Sequence, residues 1–405
     1  MKKYIYTLII ALFIFNCSSD SPTESEPALA DLSWEEIETE ARGKTITLMM
    51  WKGDPLINKY IGSYVIPNVK ELYDITLNVV DGQGTTIVST LMTEIEAGKK
   101  ESEIDMMWIN GETFFQLRQI KGLYGPYLDQ LPNSQFINRE NPFIAFDFQQ
   151  PIDGYECPWG NVQLALIYNS EKVPNPPMDL EALEAWVKEN PGKFTIGSDF
   201  TGMTLLKSWL IHLAGGQEAI QGEFNEALYK EASTKLWAYV NRIKPYFWNQ
   251  GESFPQSVAP MHQLYANGEI YFTMSNNDAE VDNKINEGLF DENSRAYVPT
   301  TGTIQNSHYL GISSKSANKA AAMAVINFMI SPEAQFEKMQ PSVWGDNTIL
   351  SIDKVPTIWK VKFANIPGRT YAPKRSDIQK YALMEPAPEY MIRLYEDFRT
   401  EVIEK

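Results

Sequence analysis

Apolar and polar positions along the first quarter of the chain fall into short runs that change period at regular intervals. Thr45 to Trp51 (TITLMMW) is a continuous apolar run of the kind a buried strand carries. Asp54-Pro55 follows as an N-cap and first-turn pair, opening a helix whose Leu56, Ile57, Tyr60 and Ile61 share a face. Pro67 should kink or split that helix before Val69 to Tyr73. A second strand is expected over Ile75 to Val80. After it come Asp81-Gly82-Gln83-Gly84 and a helix from Thr85 to Ala97 that Gly98 stops. A third strand over Ile104 to Ile109 meets Asn110-Gly111 and a helix ending near Gly122. Strand, helix, strand, helix with short loops predicts a parallel sheet with helices on its faces, an α/β lobe.

The middle and end of the chain read as mixed structure again. Asp179 caps a helix with Leu180, Leu183, Trp186 and Val187 on one face, ended by Asn190-Pro191-Gly192. Phe194 to Gly197 is expected as a short strand, and Thr201-Gly202 opens a helix to Gly215-Gly216. Met261 to Ala266 reads as helix, Ile270 to Met274 as strand, and Tyr309 to Ser313 as another strand. Ser316 caps an alanine-rich helix to Ile330, and Ser331-Pro332 starts the next. No internal repeat is seen.

The N-terminus departs from this pattern. Lys2 and Lys3 precede an uncharged apolar run, Tyr4 to Phe15, about a dozen residues long, which is too short to span a bilayer and suits a signal-peptide core. Cys17 just beyond it resembles a lipobox cysteine, although Phe15 and Asn16 replace the usual small residues; the alternative is an ordinary signal peptide containing a cysteine. Ser18 to Ala41 holds eight acids and no base, a composition that predicts a flexible tether, with Trp34 to Ala41 as a short helix where it meets the body. The chain's formal charge of −17 argues against nucleic acid or an anionic membrane surface as partners. Cys157 is the one other cysteine, so no disulfide staples the fold and no Cys/His cluster offers a metal site. It reads as a buried spectator. No cofactor is expected. About 360 residues beyond the tether exceed one comfortable core, so two lobes are expected.

With these elements placed, the chain resembles the YnjB-like ABC-transporter solute-binding proteins, a group within the type II periplasmic binding-protein fold. The resemblance runs from residue 44 to about 350. It rests on Trp51-Lys52-Gly53-Asp54, on Trp108-Ile109-Asn110-Gly111-Glu112-Thr113-Phe114, on Pro158-Trp159-Gly160, on Asp199-Phe200-Thr201-Gly202 and on Trp248-Asn249-Gln250-Gly251. Gly302 to His308 (GTIQNSH), Ser331 to Gln335 (SPEAQ) and Trp344-Gly345-Asp346 complete the series in family order. Lys52, where the family has a small residue, and Pro67 are departures. The resemblance implies two hinge-linked α/β lobes with a ligand cleft between them, crossed by Gln163 to Asn169 and by about Thr303 to Tyr309. The expected organisation is a signal peptide over 1–17, an acidic tether over 18–43, and a first lobe from 44–165 and about 305–335. The second lobe then comprises about 166–304 and about 336–405, the last part with the C-terminal helices. It also implies an exported monomer, held in the cell envelope through an N-terminal lipid, that captures a small molecule and meets an ABC permease with its ATPase.

Ligands of open α/β sheets lie beyond the carboxyl ends of strands, against helix N-termini. The candidate contacts are therefore Trp51, Gly53 and Asp54; Gly84 and Thr85; Asn110, Gly111 and Glu112; and Thr201 and Gly202. Ser275 and Asn276 are added after the Ile270 strand, where an Asn-rich turn capping a helix at Asp278 is the equal alternative. Asn306 lies on the return crossing, and Trp159 and Trp344 are candidate aromatic walls, Trp159 the stronger for its place beside the first crossing. Glu112 either neutralises a cation or is an early helix acid favoured by the dipole. Enzymes are weighed and set second: His212, His262 and His308 stand in unrelated contexts, and no GxSxG, HExxH or P-loop spacing occurs. Asp54, Asp105 and Glu112 would be the carboxylates of a cleft glycoside hydrolase, the runner-up beside a surface lipoprotein with no transport role. An organic cation suits aromatic walls in an acidic protein, an oxyanion suits the helix starts, and a thiamine phosphate, in keeping with the thiamine-like ligands the resemblance suggests, satisfies both.

Overall fold

The computed structural model describes residues 28–405, so Cys17 and the first part of the tether lie outside the described residues. The acidic run does not stay free up to residue 43. Ser33 and Glu36 form a capping box that starts α1 (Trp34–Ala41), and Ile37 and Ala41 are fully buried against the body. The expected short helix is present. Its apolar face makes residues 34–41 part of the first core rather than of a leash.

From there the chain builds the expected parallel sheet. In β1 (Thr45–Met50) Ile46, Leu48 and Met50 point into the core. The Asp54 carboxylate accepts from the N–H groups of Leu56 and Ile57 to cap α2 (Pro55–Tyr60). A π-helical turn over Ile61–Val65 joins α2 to α3 (Ile66–Tyr73), and Pro67 sits in the first turn of α3, where its missing N–H costs little. β2 (Thr76–Asp81), α4 (Thr85–Glu96), β3 (Met106–Ile109) and α5 (Glu112–Gln119) follow, with β2 and β3 both parallel to β1. A short helix α6 (Pro142–Ala145) and a two-stranded ribbon, β4 (Phe146–Asp147) with β5 (Gln150–Pro151), lead into β6 (Glu156–Gln163).

The second lobe opens with β7 (Ala165–Asn169), then α7 (Leu180–Glu189), α8 (Phe200–Leu213), α9 (Gln217–Ile220), α10 (Glu226–Ile243) and α11 (Val258–Ala266). β8 (Phe272–Ser275), α12 (Glu280–Asn286) and β9 (Ser294–Tyr297) complete an antiparallel sheet ordered β8-β7-β9. Phe194 to Gly197 is not a strand. Its backbone runs as a loop in which the Phe194 carbonyl accepts from Trp248 and the Lys193 carbonyl from Tyr271. β10 (Thr303–Ile312) returns to the first sheet, antiparallel to both β3 and β6, so this sheet reads β10-β3-β1-β2 with β6 on β10 and the C-terminal strand Ala382–Leu383 (β11) on the outer end of β10. The alanine-rich helix α13 (Lys319–Met329) is buried along its length, and α14 (Pro332–Met339) is capped by Ser331. Ser316 does not cap α13 directly: its hydroxyl donates to Asp105 and accepts from the Asn318 N–H. α15 (Thr357–Ala364), α16 (Arg375–Ile378), β11 (Ala382–Leu383) and α17 (Pro388–Phe398) end the chain.

Side-chain packing divides into two cores. Ala334, Trp344, Ile349, Leu350, Val355 and Phe363 belong to the first core, whereas Ala372, Ile378, Tyr390, Met391 and Leu394 belong to the second. The chain therefore passes into the second lobe near residues 367–371 rather than at 336. The reason is packing: α14 and α15 lay their apolar faces on each other and on the first core. This third crossing is held by Asp282, whose carboxylate accepts from the N–H groups of Thr370, Tyr371 and Ala372. Replacing Asp282 with Ala leaves three backbone donors without that acceptor, and urea unfolding should register a loss of at least about 2 kcal/mol.

Candidate ligand-binding cleft

Where the two lobes face each other they enclose a cleft of about 880 Å³. Its first wall is made by the loops beyond β1, β2 and β3: Trp51, Gly53 and Asp54, then Gly84 and Thr85, then Trp108, Asn110 and Glu112. The opposite wall comes from the start of α8 with Phe200 and Thr201, from α11 with His262, and from Ser275, Asn276, Glu280 and Lys284. Val162 of β6 with Asn306 and His308 of β10 form the floor, and Trp344 and Tyr395 extend the sides. Twelve of the fifteen candidates named from sequence line this cleft.

Gly111, Gly202 and Trp159 do not, and each has a packing reason. A Cβ on Gly111 would stand 2.3 Å from the Phe148 ring, and one on Gly202 would stand 1.9 Å from the Gly197 carbonyl oxygen. Both glycines serve close approach between elements rather than contact with a ligand. Trp159 is 1% exposed. It lies behind the cleft, its ring edge-on to Trp108 at 5.2 Å and to His308 at 5.1 Å, and 5.2 Å from Trp344. Trp108, partly exposed, is the aromatic on the cleft side of that stack, although nothing in its sequence context sets it apart from Trp159.

Behind the aromatic wall, Asp346 pairs with Lys338 and accepts from or shares a proton with His308 Nε2 at 3.0 Å. Burial holds the His308 imidazole below its ordinary pKa, and the Asp346 charge opposes this without reversing it. His308 in turn stacks on Trp344 with centroids 5.5 Å apart. Gly160 leaves the room this pair requires, since a Cβ there would lie 1.9 Å from the His308 ring. Gln335 ties the same region together, donating to the Trp159 carbonyl and accepting from Thr348 and the Ile349 N–H. The sequence stretches around Trp159, His308, Gln335 and Trp344 are thus one packed unit that fixes the orientation of the cleft wall.

The Ser275-Asn276-Asn277 turn divides between its two readings. Ser275 and Asn277 accept from backbone N–H groups within the turn, while Asn276 donates to the Thr201 hydroxyl at 3.1 Å across the second-lobe wall. Asp278 caps no helix. It is fully buried, accepts from the Gln163 N–H and pairs with both Arg369 and Arg375. Asn306 donates to Glu385, itself paired with Lys207 of α8.

Acids dominate the charge of the cleft. Asp54, Glu112, Asp199, Glu280, Glu287 and Glu396 line it against one lysine, Lys284. Lys284 is already surrounded: it contacts Asp54 at 3.1 Å, Glu280 at 3.1 Å and Glu287 at 3.0 Å. Burial works against its charge, but these carboxylates outweigh burial and raise its pKa. The Asp54 contact joins the two lobes. Asp105, in contrast, is turned away from the cleft and accepts from Thr47, Ser316 and Asn318, so the three carboxylates of the hydrolase alternative do not converge. Glu112 has no such partner. Its Oε2 is buried without a hydrogen bond, and desolvation pushes its carboxyl up to about 7 against the pull of the nearby Lys207 charge.

A two-lobed α/β chain with a ligand-sized cleft beyond its strand ends and across its crossings has the fold of the type II periplasmic binding proteins. Residues 66–350 match the family of bacterial extracellular solute-binding proteins, and the chain belongs to it. It is 34% identical over 327 residues to Protein YnjB of Escherichia coli (strain K12), covering 80% of this chain and 84% of that one. Among solved structures, it resembles the TpPotD lipoprotein of Treponema pallidum (TM-score 0.64, 14% identity, 89% of this chain and 100% of that one). It also resembles the spermidine/putrescine ABC transporter substrate-binding protein PotD of Streptococcus pneumoniae (TM-score 0.59, 16% identity, 88% and 99%). A periplasmic thiamin binding protein aligns with TM-score 0.59 at 14% identity, over 88% and 96%. The chain is therefore an extracellular solute-binding protein by family.

Glu112 supplies a pH signature. An unfolded glutamate titrates near 4.5 and the folded Glu112 near 7, so between these values the folded chain holds a proton that the unfolded chain releases. Its contribution to stability must decline as pH rises across that window. Glu112→Gln should flatten the pH dependence of the urea midpoint there by that component, measured against the wild type.

Proposed function

We propose that the cleft captures an organic cation with a flat, aromatic-compatible surface and releases it to the permease when the lobes part. The observation that carries this is the charge of the lining, six carboxylic acids to one lysine, together with Trp51, Trp108 and Trp344 on the same cavity. Carboxylates and indole faces both attract a cation, and both act more strongly in a site shielded from water. The one lysine is already bound by three carboxylates, and no arginine lines the cleft, so a phosphate would meet no free positive charge. This favours the cation over the oxyanion. Three of the acids converge on Lys284, and among the described residues no group of three or more His, Cys, Asp or Glu is arranged to hold a metal ion.

In this reading Asn110, Thr201 and Asn276 orient the ligand by neutral hydrogen bonds, Glu112 neutralises it, and Trp344 and Trp108 cover it. The chain acts as a binder rather than an enzyme, as a monomer held in the cell envelope by a lipid on Cys17. No helix among the described residues is long and apolar enough to cross a membrane. The sequence of the leader supports the lipid.

Thermal-shift and native mass spectrometry screens of aromatic and aliphatic ammonium compounds test the ligand class. A ligand found this way should lose about tenfold or more in affinity in Glu112→Gln, the scale of a hydrogen bond to a charged group, and should bind more tightly as pH rises through 7. Affinity unchanged in Asn110→Ala, Thr201→Ala and Trp344→Ala together would overturn the assignment of the wall. For the anchor, Cys17→Ser should move the protein from the detergent phase to the aqueous phase in a phase-partition assay of the expressing cells.

A further inference from the structure

The two strands that floor the cleft have a second face, and it forms the floor of a second pocket. Side chains alternate along β6 and β10, so Val162 and Asn306 face the cleft while their neighbours Asn161 and Gln305 face the opposite side. There a cavity of about 440 Å³ is closed by Lys360 of α15 on the first-lobe side and by Arg375 and Gln379 on the second-lobe side.

The chemistry of this pocket is opposite to that of the cleft. No carboxylate lines it, in a chain with 52 acidic residues against 35 basic ones. Arg375 shares the Asp278 carboxylate with Arg369, so that cluster keeps a net positive charge. Lys360 donates to the Asp353 carbonyl at 2.7 Å and has no carboxylate partner among the described residues. Asn161 is fully engaged: its Oδ1 accepts from Arg375 at 3.0 Å and from Gln305 Nε2 at 2.8 Å. Gln305 is 6% exposed, and its Oε1 is buried with no donor. A buried acceptor without a donor is costly, and a ligand N–H or O–H would satisfy it.

We propose that this pocket is a second small-molecule site, for a compact carboxylate that carries an adjacent hydrogen-bond donor, as amino acids and hydroxy acids do. The carboxylate lies between Lys360 and Arg375, and the donor meets Gln305 Oε1. Because Lys360 and Arg375 stand on different lobes and the floor is the hinge itself, any change of lobe angle changes the distance between the two cations. Occupancy of this site is therefore coupled to the cleft, and the coupling acts equally in both directions. The proposal does not depend on which cation the cleft binds.

The test titrates the full mature chain with L-serine, glycine and L-lactate, with acetate as a control that has no donor, followed by calorimetry and ligand-observed NMR. At least one of the three should bind saturably and at least tenfold more tightly than acetate. Lys360→Glu and the pocket-filling Ala364→Trp should each weaken that binding tenfold or more, with circular dichroism confirming the fold, while Thr201→Ala in the cleft should leave it in place. No saturable binding, equal binding of acetate, or loss in Thr201→Ala but not in Lys360→Glu would overturn the site. Coupling is read separately in Lys284→Glu, which breaks the contact between lobes at Asp54. A change of threefold or more in affinity at the back pocket is expected, and an unchanged affinity would overturn the coupling.

Discussion

The Asp278 carboxylate sits where the three passages of the chain between lobes come together. It accepts from the N–H of Gln163 at the end of β6, and it pairs with Arg369 within the third crossing and Arg375 just after it. Burial alone would make this group neutral, but the two guanidinium groups outweigh burial and hold its pKa well below the carboxylate range. A buried carboxylate with two arginines and a backbone donor satisfies the geometry that makes an internal ion pair tolerable. Asp282, four residues on, grips the backbone of the same crossing. One turn of chain after β8 thus fixes where the lobes are joined, and everything that depends on their relative position follows from it.

The cleft and the back pocket share this hinge ribbon but divide the chain's charge between them. On the cleft side Asp54, Glu280 and Glu287 are paired with Lys284, and burial raises the carboxyls of Glu112 and Asp199. The deeper layer behaves similarly. Asp147 takes the Gly111 N–H, and Glu156 lies wholly buried with neither oxygen partnered, so burial pushes both carboxyls well up.

Much of the fold could be read from the residues because it is set locally. The β1 pattern, the Asp54-Pro55 cap, the glycines before α4 and α5, and the Ser331 cap each act within four or five residues, and each appears where expected. What was misread depends on distant partners. The amphipathic faces of α14 and α15 show that they bury one side but not against which core, so the lobe boundary was placed about thirty residues early. Trp159 and Trp108 look alike as tryptophans near strand ends, and only the pairing of β3, β10 and β6 decides that one faces the cleft and the other stands behind it. Lys284 carried no signal at all, since its partner Asp54 lies 230 positions away. Gly111 and Gly202 stood at the right ends of the right elements, but their side of the backbone is occupied by Phe148 and Gly197.

The docking of α1 has a mechanical consequence. Ile37 and Ala41 seal this helix to α13, which is buried throughout the first core and lines neither pocket. A pull on the N-terminus therefore enters the molecule through the packed core of the first lobe, at an element that lines neither pocket, rather than through the second lobe.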